Sequence, residues 1–272
     1  MTMTQLNGKV ILVTGGTTGL GKCVCEQAAL AGMKVAFNGR NVERGHEVLQ
    51  SIQDAGGDAI FVQGDVSNKS SVDDFFDQVA EKFGKIDLVY ANAGIDPPGS
   101  SFLDLTEDDI DKIFNVNFKG ALYTIQKAAK VFQEQSGAGG GDGGTIVAAS
   151  SLFGLAPAPP FTSYSCSKAA VDALVRCAAA DLASSDIRVY AINPAAFDTE
   201  MIVRASGGNS AAFAESTNPS KTLGNPKNVY DLIIKLYLNE ANFKPGSSIV
   251  LDNENTMLGF DVQKSIYGSD AE

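Results

Sequence analysis

The run VILVT at 10–14 is β-branched and apolar, and it stops at Gly15 and Gly16. A helical pattern begins at Gly19, with Leu20, Val24, Ala28 and Ala31 at helical spacing. Strand, glycine turn, helix is the opening of a crossover connection, and the same alternation continues to the end of the chain. Further strands are predicted at 34–38, 59–63, 88–91, 145–150, 187–193 and 248–251. Helices are predicted at 42–55, 71–83, 106–135, from Tyr164 to about 183, and at 226–238. This order predicts an α/β fold: a doubly wound parallel sheet of about seven strands, flanked by helices on both faces, with ligands at the carboxyl ends of the strands. No linker divides the 272 residues, so 1–272 reads as one domain. Residues 200–222 are polar, small and poorly periodic, as a mobile flap over a substrate would be. GAGGGDGG at 137–144 reads as a flexible surface loop.

Charge and composition exclude several functions. A formal net charge of -11 argues against nucleic acid and anionic membranes as partners, since both require a basic face. No apolar run approaches the ~18 residues of a membrane span, and MTMTQLNGK has no apolar signal core, so a cytoplasmic protein is expected. Cys23, Cys25, Cys166 and Cys177 are too few and too scattered for a disulfide scaffold. The single histidine, His46, lies in a charged helical stretch and reads as a solvated side chain, so neither a metal site nor a Ser-His-Asp triad has a centre.

The chemistry-bearing residues fall at strand ends. Gly15-x-x-x-Gly19-x-Gly21 lets a backbone approach a pyrophosphate at a helix N-terminus, although an ordinary tight turn has the same form. After the second strand stand Asn38, Gly39, Arg40 and Asn41, with no carboxylate to bind a ribose 2′-hydroxyl. Arg40 can fork onto a 2′-phosphate, which favours NADP(H) and leaves NAD(H) possible. Asp65 can accept from an adenine amino group or simply close a turn, and Asn92-Ala93-Gly94 suits a crevice beside a ribose. Asn117 sits inside a helical pattern where asparagine is unfavourable, so its carbonyl or side chain is expected to hold a water in a proton relay. Ser150 and Ser151 arrive at the end of the fifth strand. Tyr164 and Lys168 stand four residues apart on one helical face, where a cation lowers a phenol's pKa and makes it a general acid/base.

Together, Thr14-Gly15-x-x-x-Gly19-x-Gly21, Asp65, Asn92-Ala93-Gly94, Asn117, Ser151, Tyr164-x-x-x-Lys168 and Asn193-Pro194 to Thr199 resemble the short-chain dehydrogenase/reductase family over roughly residues 8–252. The resemblance implies a Rossmann-type fold and an NAD(P)-dependent oxidoreductase that interconverts a ketone or aldehyde with an alcohol. It implies that Ser151 binds the substrate oxygen, Tyr164 transfers the proton, Lys168 holds the nicotinamide ribose and depresses the tyrosine's pKa, and Asn117 anchors a water chain. Cofactor contacts are implied at Gly15, Thr17, Thr18, Gly19, Leu20, Gly21, Arg40, Asn41, Asp65, Val66, Asn92, Ala93, Gly94, Pro194 and Thr199 as well as at Tyr164 and Lys168. A homo-oligomer, tetramer or dimer, is implied too. Phe153, Leu155, Pro157, Pro159, Pro160, Phe161 and Phe197 point to an apolar carbonyl or alcohol as substrate. Other readings are an NAD-dependent alcohol dehydrogenase of the same family, or a silent nucleotide-binding sensor. Three departures stand out: Ala195 in place of a glycine, which adds a methyl near the nicotinamide; Asp252-Asn253-Glu254 in place of Asp-Gly-Gly; and the insert at 137–144.

Overall fold

The computed structural model describes residues 5–96, 100–136 and 143–258. Eight strands form one sheet: β1 Val10–Thr14, β2 Lys34–Gly39, β3 Ala59–Gln63, β4 Leu88–Ala91, β5 Gly144–Ala149, β6 Ile187–Pro194, β7 Ser248–Asp252 and β8 Asn255–Leu258. Their order is β3-β2-β1-β4-β5-β6-β7-β8. The first seven run parallel and β8 returns antiparallel to β7. The eighth strand adds one to the sequence expectation. It follows from the Asp-Asn-Glu-Asn run: Asp252 pairs with Asn255, and Asn253 takes a φ of 55°, a left-handed conformation that asparagine tolerates in a tight hairpin.

Successive residues of a strand face opposite ways, and both faces are covered by helices. Ile11, Val13, Val35, Phe37, Leu88 and Tyr90 pack on one side against α1 Gly19–Leu30, α2 Val42–Asp54 and α10 Lys227–Tyr237. Val10, Leu12, Ala36, Val89, Ile146 and Ala148 pack on the other against α3 Lys69–Phe83, α5 Gly120–Ser136 and α7 Thr162–Asp181. Of the predicted glycine loop, 137–142 lie outside the described residues. Gly144 belongs to β5, where an added Cβ would fall 2.2 Å from the Phe132 ring. His46 is exposed, its ring edge-on to Phe61.

Two predicted segments take other forms. The long helical pattern at 106–135 divides into α4 Glu107–Ile113, a π turn Phe114–Lys119 that carries Asn117, and α5. Such bulges absorb an extra residue in the helical ladder and concentrate at functional sites. The poorly periodic flap contains two short helices, α8 Glu200–Ala205 and α9 Ser210–Thr217. Their ends, rather than an amphipathic stripe, define them: Thr199 accepts from the Ile202 N–H and Asn209 from the Ala212 N–H. Asn218 pins the segment to the body, bonding both the N–H and the carbonyl of Ala196.

Candidate active site

The strand order reverses between β1 and β4, and the crevice opens where their carboxyl ends part. Asn92 Nδ2 donates to the carbonyls of Thr14 and Gly15, and the Thr14 hydroxyl accepts from the N–H groups of Asn92 and Ala93. Gly15 and Gly19 have φ of 67° and 55°. A Cβ on Gly15 would lie 2.8 Å from Ala93 Cα, and one on Gly21 would lie 2.3 Å from the Gly15 carbonyl oxygen. Thr18 caps α1 without a side-chain hydrogen bond, and no acidic residue stands in the first turn. The free N–H groups at that end and the positive end of the helix dipole therefore meet the cleft lined by Gly15, Thr18, Gly19 and Leu20. These residues fit the pyrophosphate of a dinucleotide.

The remaining cofactor candidates divide. Asn92, Gly94, Pro194 and Thr199 line the same pocket. Thr17 packs its side chain against Gly39, Val66 is buried against Gly120, and Ala93 supports Gly15. Asn41 caps α2 by accepting from the Arg44 N–H, and Asp65 accepts the N–H and hydroxyl of Ser67. Asp65 thus closes a turn through one oxygen. Arg40 is exposed, 4.0 Å from the other Asp65 oxygen. The sequence reading gave Asn38 no structural role. It holds the glycine turn, accepting from the Gly15 N–H at 3.0 Å through its side chain and from the Gly16 N–H through its carbonyl.

On the floor of the pocket lie Ser151, Tyr164 and Lys168. The two adjacent serines part company: Ser150 turns away to Asp172 and the Lys168 carbonyl, whereas the Ser151 hydroxyl accepts from the Phe153 N–H at 3.2 Å and lines the pocket with Tyr164. Lys168 Nζ donates to the Ala149 carbonyl at 2.8 Å and lies 5.6 Å from the centre of the Tyr164 ring. Burial lowers its pKa from 10.5 to about 8, opposed by the negative charge of Asp172. Burial pushes the Tyr164 phenol up to about 12; the Ser151 hydroxyl acts to lower it and the Asp96 carboxylate to raise it. The expected depression of the phenol by Lys168 is thus not found in the protein alone, because desolvation outweighs the polar neighbours and the amine is directed at a backbone carbonyl.

Asn117 does not line the pocket. Its Oδ1 accepts from the Ile95 N–H at 2.8 Å, and its Nδ2 donates to the Ile95 carbonyl and to Ser167. The side chain is therefore committed to holding the strand-end loop against α7.

Opposite the polar set, Phe153 and Phe161 stack at 5.2 Å between centroids, and Phe213 meets both edge-on at 6.3 and 6.1 Å. Of the apolar residues read from sequence, Phe153, Phe161 and Phe197 line the pocket, while Pro157, Pro159 and Pro160 are exposed. Leu155 packs with Leu152, Ala156 and Val250, as does Ala195, which also lines the pocket. Met201, Ile202 and Phe213 escaped the sequence reading; their signal was four large apolar side chains, Val203 being the fourth, within an otherwise small and polar segment.

A doubly wound parallel sheet with a glycine-cradled crevice and a hydroxyl, phenol and amine beneath it defines a dinucleotide-dependent oxidoreductase. Residues 9–208 match the family model described as short chain dehydrogenase, and the chain belongs to that family. It is 35% identical over 213 residues to a 3beta-hydroxysteroid dehydrogenase of Mediterraneibacter gnavus, covering 78% of this chain and 75% of that one. It is 30% identical over 255 residues to the NADP-dependent (R)-specific alcohol dehydrogenase of Lentilactobacillus kefiri, covering 93% and 98%. Among solved structures, a short-chain type dehydrogenase/reductase from Mycobacterium marinum is 31% identical, with a TM-score of 0.84 over 93% of this chain and 98% of that one. Among the described residues, no helix is long and apolar enough to cross a membrane.

The lowered pKa of Lys168 has a consequence for stability. Between pH 8 and 10.5 the unfolded chain binds a proton that the folded chain has released, so folding grows more favourable as pH rises. Lys168→Met lacks this dependence. The stability difference, wild type minus Lys168→Met, is expected to grow by roughly 3 kcal/mol across that window, as measured by urea unfolding. The raised thiols and phenols common to both proteins cancel in the difference. Curves that run parallel in pH would refute the buried, titrating amine.

Proposed function

We propose that the protein is an NADP(H)-dependent reductase of apolar ketones, acting in reverse as an alcohol dehydrogenase, with Tyr164 as its general acid/base. The observation that carries this reading is the placing of the Ser151 hydroxyl and the Tyr164 phenol together on the pocket floor, beside the glycine turn and facing the phenylalanine cluster. The nicotinamide, when bound, supplies or accepts the hydride. Ser151 donates a hydrogen bond to the substrate oxygen and steadies the charge that develops there. Tyr164 stays protonated through neutral pH, so it is in the form that delivers a proton to the nascent alkoxide. Alcohol oxidation requires the reverse transfer and therefore favours higher pH. Lys168, as an ammonium below about pH 8, stabilises the phenolate left after transfer. Because the Asn117 side chain is already engaged, its backbone carbonyl in the π turn is the group left to hold a relaying water.

The preference for NADP rests on the end of β2, where Arg40 and Arg44 stand exposed and no acidic side chain takes the place that would bind a 2′-hydroxyl. The apolar substrate rests on Phe153, Phe161 and Phe213, rings whose faces and edges suit a flat or cyclic carbonyl compound.

Three outcomes are expected. With a panel of cyclic and aromatic ketones followed by the absorbance of reduced nicotinamide, Tyr164→Phe lowers kcat by at least about a hundredfold and leaves NADPH affinity nearly intact; undiminished turnover in that variant rules out the assignment. Arg40→Asp raises the KM for NADPH about tenfold or more relative to NADH, and an unaltered ratio removes the proposed phosphate contact. Phe213→Ala raises KM for bulky apolar ketones with little change for acetone-sized ones; equal effects on both would discard the aromatic subsite.

A further inference from the structure

One carboxyl in the core lies outside the catalytic set just described. Asp172 stands four residues beyond Lys168 on α7, and only 2% of it is exposed. Its Oδ2 accepts from the Ser150 hydroxyl at 2.7 Å, its Oδ1 accepts from the Ser248 hydroxyl at 2.8 Å, and Asn193 Nδ2 lies 3.1 and 3.0 Å from the two oxygens. These partners sit at the carboxyl end of β5, near the carboxyl end of β6 and at the start of β7, so a single side chain fastens the helix that bears Tyr164 and Lys168 to three neighbouring strands. The tie reaches the pocket by two short routes. Ser150 adjoins Ser151, and its single hydroxyl proton is shared between Asp172 and the Lys168 carbonyl 2.9 Å away, while Asn193 donates to the Ser151 carbonyl at 2.9 Å.

We propose that Asp172 is a positioning residue: its hydrogen bonds to Ser150, Asn193 and Ser248 hold Ser151 and Lys168 in register with Tyr164. The amide of Asn193 and the Ser248 hydroxyl present donors, which favours the ionised form against the burial that raises the Asp172 pKa. The charged groups that face it are Lys168 and Arg176, both on its own helix. The strands contribute Ser150, Asn193 and Ser248, and α6 Leu152–Leu155 contributes Gly154, where an added Cβ would fall 2.9 Å from Oδ2. A glycine thus makes the slot in which the carboxylate lies. Burial raises the Asp172 pKa, opposed by its three hydrogen-bond partners and by Arg176, and burial lowers the Lys168 pKa, opposed by the Asp172 charge.

The inference deepens the proposed catalytic reading, so its test has one readout that needs no turnover. In Asp172→Asn the amide turns at least one N–H toward a donor and the charge is gone. The titration of Lys168, followed by NMR of carbon-13-labelled lysine and assigned by its absence in Lys168→Met, is expected to move down by about one pH unit or more. For a ketone that the wild type reduces, kcat is expected to fall about tenfold or more with the KM for NADPH little changed, and the alkaline limb of the kcat profile is expected to move down with the titration. Asp172→Glu recovers part of both. Ser248→Ala removes one donor at a distance from the pocket and shifts both readouts the same way by less, which keeps the test open should Asp172→Asn fold poorly. A Lys168 titration unmoved in these variants overturns the proposal, whatever the activity; a moved titration with no turnover by the wild type on any ketone leaves the tie standing and discards the reductase reading.

Discussion

The sheet is parallel, and helices cover both of its faces, so polar chemistry has only the strand ends available to it. Thr14 and Asn92 make one of those ends usable. Their four hydrogen bonds join the tips of β1 and β4 and satisfy backbone groups that the diverging strands would otherwise leave without partners. The glycine turn, the N-terminus of α1 and the floor residues all take their positions from that junction. Asn38 braces the same turn from the β2 side, so the cradle is held by side-chain amides from both directions and does not rely on the turn's own stiffness.

A buried amine works against the stability of such a core. Lys168 is 4% exposed, and its Nζ has one acceptor, the Ala149 carbonyl. Desolvating a charge costs several kcal/mol, and one carbonyl and a distant carboxylate offset that in part. The result is an amine that titrates near pH 8, close enough to neutrality that small changes in its surroundings alter its charge. The same burial carries the phenol the other way, so the two groups of the pair are displaced in opposite directions, each toward its neutral form. An apolar side chain at position 168 would suit the core better, so the amine is kept there at a cost to folding.

The strands were legible because their β-branched runs end at glycine, asparagine or serine, and the floor of the pocket was legible because Tyr164 and Lys168 share a face at a fixed spacing. What could not be read were the polar residues with distant partners. Asp172 meets Ser248 76 positions away, Asn38 reaches back 23 to Gly15, and Asn218 binds Ala196 across 22; no local pattern announces such pairs. Asn41 shows a different limit. A helix cap and a cofactor contact ask for the same residue type at the same strand end, and the local bond to the Arg44 N–H is the one formed. The flap helices stayed hidden because one turn or two, defined by a capping threonine and asparagine, carry too few residues to show a period.

A chain of ion pairs joins α2, α8 and the residues beyond β4 beside the crevice. Arg44 on α2 lies 3.8 Å from Glu200, Glu200 lies 3.8 Å from Arg204, and Arg204 Nε bonds Asp96 at 2.7 Å. Exposed pairs of this kind add little to stability. Their importance is in where the last one ends: Asp96 is the carboxylate that raises the Tyr164 pKa, and the arginine that balances it rides on α8. Burial remains the larger cause of the raised phenol pKa, and the paired carboxylate is the smaller one.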